Sequence, residues 1–266
     1  MPGNLRFCPN RPLVGSGIWV ESTIGKGDGA IMFQFKQTAV PTKLNVAFWG
    51  PSGAGKTYTA LALAHQLGHR IAVLDTEHLA SALYAEKFPA LSAEVKPPFG
   101  PERFIEGIHD AERAGFDVLI IDSLSPEWDG IGGCLDQVAT AQKSGKKGAY
   151  AWLQVTPQHE ALMAAINQSA MSIIVTLREK PLLNLDDANK GKAATSTPRP
   201  IMRDRFEYEY DLVFRVDNLH RYTATKSRIE AIPVGDVFKG KRSFLQQIRS
   251  ALYPDTVQDV APSAAL

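Results

Sequence analysis

Eight residues near position 50 carry the clearest chemistry in the chain. Gly50-Pro51-Ser52-Gly53-Ala54-Gly55-Lys56-Thr57 sets glycines and a Lys-Thr pair at the spacing of a loop that wraps nucleotide phosphates. Glycines let backbone N–H groups close around phosphate oxygens, and a following helix adds the positive end of its dipole. In such a loop Lys56 reaches the β- and γ-phosphates, the Thr57 hydroxyl ligates Mg²⁺, and Tyr58 follows in the helix. The alternative is a glycine-rich turn that only joins strand to helix. The apolar LNVAFW before the loop and the amphipathic TYTALALAHQL after it favour the nucleotide site, with ATP and Mg²⁺ as its cofactors.

A second apolar run, Phe116-Asp117-Val118-Leu119-Ile120-Ile121-Asp122, ends in a carboxylate. An Asp at the C-terminal edge of a parallel strand lies beside the phosphate loop and can hold Mg²⁺ through water. Many strands also end in Asp for turn chemistry alone, so this signal draws its weight from the phosphate loop.

These groups need a scaffold. Residues 42–253 alternate short apolar runs with helical stretches, the pattern of an α/β fold with a largely parallel sheet flanked by helices. Strands are expected at 44–49, 70–75, 118–122, 172–176, 211–216 and 221–226, and helices at 56–67, 102–114 and 158–169. The polar stretch 182–200 has no periodicity and reads as a long loop, functional or disordered. Residues 1–41 form an N-terminal extension with a strand-like alternation at Ile31, Phe33 and Phe35, and 254–266 read as a flexible tail.

Composition bounds the rest. The 266 residues carry 29 basic and 28 acidic side chains, so nucleic-acid binding must come from local patches rather than a global field. Cys8 and Cys134 cannot build a disulfide framework, and no Cys/His group has zinc-finger spacing. No apolar run approaches a membrane span and the N-terminus lacks a signal-peptide pattern, so the expectation is a cytoplasmic protein.

The segment Val73-Leu74-Asp75-Thr76-Glu77-His78, followed by a stretch ending Tyr84-Ala85, resembles the second core strand of the RecA family. The resemblance implies a RecA-like P-loop ATPase in which Glu77 polarises the attacking water. A carboxylate just past a strand end suits that role, although an acid at a helix start is the plainer reading. Late in the chain, Thr225-Lys226-Ser227-Arg228 resembles the family motif whose two basic residues reach a neighbour's ATP. Period two sets Lys226 and Arg228 on one side of an extended chain, where they would join Lys56 and Glu77 in catalysis; a solvated basic strand end is the alternative. Arg228 stands where RecA has a second Lys.

In that family two mobile loops bind single-stranded DNA. Here they correspond to about 126–150, with Lys143, Lys146 and Lys147, and about 180–205, with Lys190, Lys192, Arg199, Arg203 and Arg205. From Arg178 to Arg205 seven basic residues face four acids, a local +3 that suits phosphate contacts and equally suits a solubilising loop. Trp128, Tyr150 and Trp152 could stack on bases or belong to the core. The family's sensor Gln has no match; Thr176 or Leu177 stands nearest.

Only a short segment follows Arg228, and this core-only form resembles phage-encoded RecA-like ATPases of recombination and single-strand annealing. The resemblance implies action on single-stranded DNA in a bacterial host cytoplasm and head-to-tail homo-oligomers, filament or ring. A single-strand DNA-binding protein is a further expected partner. A hexameric helicase or motor on the same core, and a nucleotide-switched regulator without DNA, remain alternatives. The segment from Gly17 to Phe35 resembles the closing strands of histidine-kinase ATP domains but is too short to form that site. A chance hairpin, a genetic remnant, an extension upstream of the natural start and a docking strand at 30–35 for the next subunit are the readings left open.

Overall fold

The computed structural model describes residues 43–253 apart from 79 and 184–195. The extension 1–41, the tail 254–266, Lys190 and Lys192 lie outside the described residues.

In chain order the elements are β1 (Asn45–Gly50), α1 (Lys56–Leu67), β2 (Ile71–Asp75), β3 (Leu91–Glu94), α2 (Pro101–Arg113), β4 (Val118–Asp122), α3 (Ser125–Asp129) and α4 (Cys134–Lys143). Then come α5 (Val155–Gln168), β5 (Ser172–Leu183), β6 (Ser196–Pro200), β7 (Leu212–Val216), β8 (Arg221–Ser227), β9 (Val237–Lys239) and α6 (Lys241–Leu252). The strands are ordered β3-β2-β4-β5-β1-β7-β8-β9, and β6 pairs with the outer half of β5. From β3 to β7 every neighbour pair is parallel, while β8 and β9 run antiparallel. This is the mainly parallel, helix-flanked α/β architecture that the sequence implied.

The apolar runs are continuous because both faces of the sheet are covered. Side chains alternate with period two. Ala47, Trp49, Leu119, Ile121, Ile173 and Val175 enter one core with α2, α4 and α5. Val46, Phe48, Val118, Ile120 and Ile174 enter the other, against α1 and α6. The two layers hold the C-terminal ends of β1, β2, β4 and β5 side by side, where the phosphate loop, Glu77, Asp122 and Thr176 emerge.

Three expectations change. The expected first mobile loop, 126–150, is largely helical: α3, α4 and the 3₁₀ turn Gly148–Trp152 occupy it. Apolar residues four apart, Cys134 and Val138, give α4 a buried stripe that the surrounding glycines and lysines obscure. The expected loop at 182–200 is in its described parts a β-hairpin, with Glu179 opposite Pro200 and Pro181 opposite Pro198. Its strands lack the apolar pattern of core strands. The third change is α6, absent from the expected elements. Its Phe244 stacks on Tyr222 at 4.2 Å and meets Phe214 edge-on at 4.9 Å, closing the second core.

Candidate nucleotide site

β1 delivers the chain to the phosphate loop through Gly50. A Cβ there would lie 2.0 Å from the Val216 carbonyl oxygen of β7, so only glycine fits. Gly55 caps α1 in the left-handed region at φ 90° and frees the first-turn N–H groups to point outward. The Lys56 ammonium folds onto its own loop, donating to the Gly50 and Pro51 carbonyls at 2.9 Å each. Burial lowers its pKa, while the Asp122 and Glu77 carboxylates pull the other way.

Asp122 ends β4 in a buried position. Its carboxylate accepts from the Thr57 hydroxyl at 2.7 Å and from the Thr176 hydroxyl. Burial nevertheless raises its pKa; the two hydroxyl bonds oppose that, and the nearby Asp75 and Glu77 charges add to it. A buried carboxylate that ionises at a cost, beside a hydroxyl on the phosphate loop, fits a hard dication such as Mg²⁺. Thr57 and Asp122 are the residues that could hold it. Of the two residues nearest the family's sensor position, Thr176 bonds Asp122 through its hydroxyl, while Leu177 is buried in the core that α2, α4 and α5 cover.

Glu77 sits just past β2. Its backbone N–H donates to Asp75 Oδ1 at 2.7 Å, and Asp75 Oδ2 accepts from the Ser81 hydroxyl at 3.0 Å. This turn fixes where the Glu77 backbone leaves the strand. The Glu77 Oε1 atom accepts from Arg178 Nε and Nη2, both at 2.8 Å. Arg178 follows Thr176 by two residues on β5, and its backbone N–H donates to the Ser125 hydroxyl at 2.9 Å. One arginine therefore joins the expected water-polarising carboxylate to the root of the basic hairpin.

Two further groups reach the loop from the far end of the chain. His220 Nδ1–H donates to the Ala54 carbonyl at 2.9 Å, and the Lys241 ammonium lies 3.2 Å from where a Gly55 Cβ would stand. Lys241 also sits 4.3 Å from the Tyr58 ring centroid, and Lys87 4.8 Å on, so Tyr58 is flanked by two cations beside Tyr84 and Phe88. Nothing local in the sequence marks His220 or Lys241; β8, β9 and α6 bring them in. Arg215 pairs with Glu179 at 3.0 and 3.3 Å and lies over Trp49, tying β7 and β5 to the phosphate-loop strand.

The late basic pair lies on one side, as period two requires. Arg228 Nη2 donates to the Tyr208 carbonyl at 2.8 Å, and Lys226 reaches the same carbonyl at 3.4 Å and that of Tyr210. Arg228 also pairs with Asp211 at 3.0 Å. Both are thus engaged within their own chain, away from its own phosphate loop.

Among the expected DNA contacts, Lys143, Lys146, Lys147, Arg199 and Arg205 are exposed, while Arg203 is half-buried and pairs with Glu160 at 3.7 Å. Trp128 is buried and stacks on Trp152 at 5.9 Å, the core reading of these rings. Tyr150 is 71% exposed and stays available for stacking.

The family model described as "AAA domain" matches residues 42–244. Among curated proteins none matches in sequence. A structure titled RadB recombinase is similar at 17% identity and TM-score 0.44, over 76% of this chain and 90% of that one. A type III secretion ATPase from pathogenic bacteria is similar at 12% identity and TM-score 0.35, over 65% of this chain and 51% of that one. Among the described residues no helix is long and apolar enough to cross a membrane.

Proposed function

The chain belongs to the AAA-domain family and is an ATPase, and from that premise we propose that it hydrolyses ATP with Mg²⁺ while bound to single-stranded DNA, in recombination or annealing. The observation that carries this is the Arg178–Glu77 pair at the root of the basic hairpin. With Arg178 clamped on Oε1, the Glu77 side chain is held toward the hairpin rather than turned to align water on the γ-phosphate. DNA phosphates along the hairpin compete for Arg178, and a guanidinium prefers a multiply bonded phosphate to one exposed carboxylate. Release of Glu77 couples DNA binding to turnover.

In this reading Lys56 and the loop N–H groups hold the phosphates, and Thr57 with Asp122 holds Mg²⁺. Thr176 positions Asp122 through its hydroxyl. Lys143, Lys146, Lys147, Lys190, Lys192, Arg199, Arg203 and Arg205 supply sequence-independent phosphate contacts. Because Lys226 and Arg228 lie away from their own phosphate loop, they serve the ATP of the next subunit in a head-to-tail assembly, which closes as a ring or extends as a filament. The setting is the cytoplasm, a bacterial host's if the chain is phage-borne.

The test is Arg178→Ala. Hydrolysis without DNA should rise severalfold, and stimulation by single strands should shrink. If DNA-free hydrolysis is unchanged and stimulation persists, Arg178 is not the coupling residue. If DNA neither binds nor stimulates the wild-type protein, the switch reading replaces this one; directional duplex unwinding would favour the motor.

A further inference from the structure

Away from the phosphate loop, three buried side chains of different chemistry converge. Glu127 on α3, Cys134 at the first turn of α4 and His159 on α5 place a carboxylate oxygen, a thiol sulfur and an imidazole nitrogen within 4.8 Å of one another. Glu127 and Cys134 are fully buried and His159 is 3% exposed. Glu127 Oε1 takes both local hydrogen bonds, from Cys134 Sγ–H at 3.1 Å and His159 Nδ1 at 2.9 Å. Oε2 has no hydrogen-bond partner among the described residues, and neither does the nearby buried Tyr210 hydroxyl. A buried carboxylate oxygen without a donor is costly and calls for a cation or an ordered polar ligand.

The backbone is built to hold this arrangement. Between α3 and α4 the chain turns through Gly130-Ile131-Gly132-Gly133, and a Cβ on Gly133 would fall 2.6 Å from the Pro126 and Glu127 carbonyl oxygens. The close approach sets Cys134 directly over Glu127. Trp128 closes the side, edge-on to His159 at 5.5 Å.

We propose that Glu127, Cys134 and His159 form a binding site for a divalent transition ion of the zinc type. Sulfur, nitrogen and oxygen donors together match zinc rather than Mg²⁺ or Ca²⁺. Tetrahedral zinc holds its donors roughly 3.3–3.8 Å apart, so a spacing within 4.8 Å needs adjustments of no more than about 1.5 Å. The charges balance: a thiolate and a carboxylate neutralise the dication, and the imidazole stays neutral. Binding therefore breaks the Cys134 S–H bond, releases its proton to solvent and forms the metal–sulfur bond. Without metal the Cys134 thiol donates to Glu127 Oε1. Glu127 Oε2 completes the site by chelation or through a metal-bound water. The ion would staple α3, α4 and α5 together, directly after the Asp122 strand and beneath Ser125, which bonds both Arg178 and the Ile201 carbonyl.

The experiment uses the full chain stripped with chelator, without nucleotide, and Co²⁺ as the probe. In Cys8→Ser protein Cys134 is the remaining thiol. One Co²⁺ per chain with a thiolate-to-cobalt charge-transfer band is expected, and Zn²⁺ should displace it. Zn²⁺ should also raise the melting temperature of stripped wild type by several degrees. In Cys134→Ser protein the band should vanish and Zn²⁺ affinity fall more than about 100-fold. No band in Cys8→Ser protein overturns the proposal. So does the same band in folded Cys134→Ser protein, or a stripped wild type whose melting ignores Zn²⁺.

Discussion

Glu77→Gln separates chemistry from structure more cleanly than any other single change. The side chains of Glu77 and Arg178 are 34% and 44% exposed, and an ion pair so open to water contributes at most about 1 kcal/mol. Gln retains an oxygen that can accept from Arg178, so the stability loss should stay below that figure. For a domain of this size that corresponds to a melting shift of no more than about 3 °C. General-base or water-aligning carboxylates contribute about 10²–10⁴ in rate, or roughly 3–5 kcal/mol of barrier. The mutant should therefore lose at least about 100-fold in DNA-stimulated hydrolysis while binding ATP near normally. Steady-state phosphate release, a fluorescent-nucleotide titration and a thermal melt on the same preparation measure all three. A rate within tenfold of wild type would show that another group aligns the water. A melting drop of ten degrees or more would show that Glu77 acts through the fold.

Asp122→Asn tests the buried carboxylate. Its folded pKa is raised, so the stability linked to its protonated form is full below the ordinary carboxylate range and is lost as pH rises through the folded value. At neutral pH the nucleotide-free protein bears that cost. The Asn variant should melt higher than wild type at pH 7 without Mg²⁺, by a margin that shrinks toward pH 4, and should hydrolyse ATP poorly. Gly50→Ala forces a methyl against the Val216 carbonyl and should cost ~2–3 kcal/mol along with most nucleotide affinity, read by denaturant melts and ATP titration. Mixing Arg228→Ala subunits with Lys56→Ala subunits should restore part of the activity that each lacks alone. No rescue at any ratio would argue that Arg228 completes no neighbour's site.

Much of this was legible where local pattern and chemistry coincide. The phosphate loop is a contiguous string, and Asp122 ends an apolar strand whose register is fixed by burial on both faces. The outer half of β5 and its partner β6 were illegible because an exposed hairpin carries no apolar alternation, only pairing between distant residues. The helices inside 126–150 were obscured by glycines and lysines that resemble loop composition. Thr176 could be placed at Asp122 only through the register of β4 against β5. The Arg178–Glu77 pair spans 101 positions, and the Glu127–Cys134–His159 group has no metal-finger spacing. Tertiary topology alone assembles such sites.

The central claim is that DNA phosphates release a hydrolytic site held in check. The most direct measurement is the ATP hydrolysis rate with no DNA, with single-stranded DNA and with duplex DNA, each at low and moderate salt. The account predicts strong stimulation by single strands that fades as salt rises, since each phosphate contact adds to the salt slope. A rate indifferent to DNA, in protein that binds ATP, would contradict it.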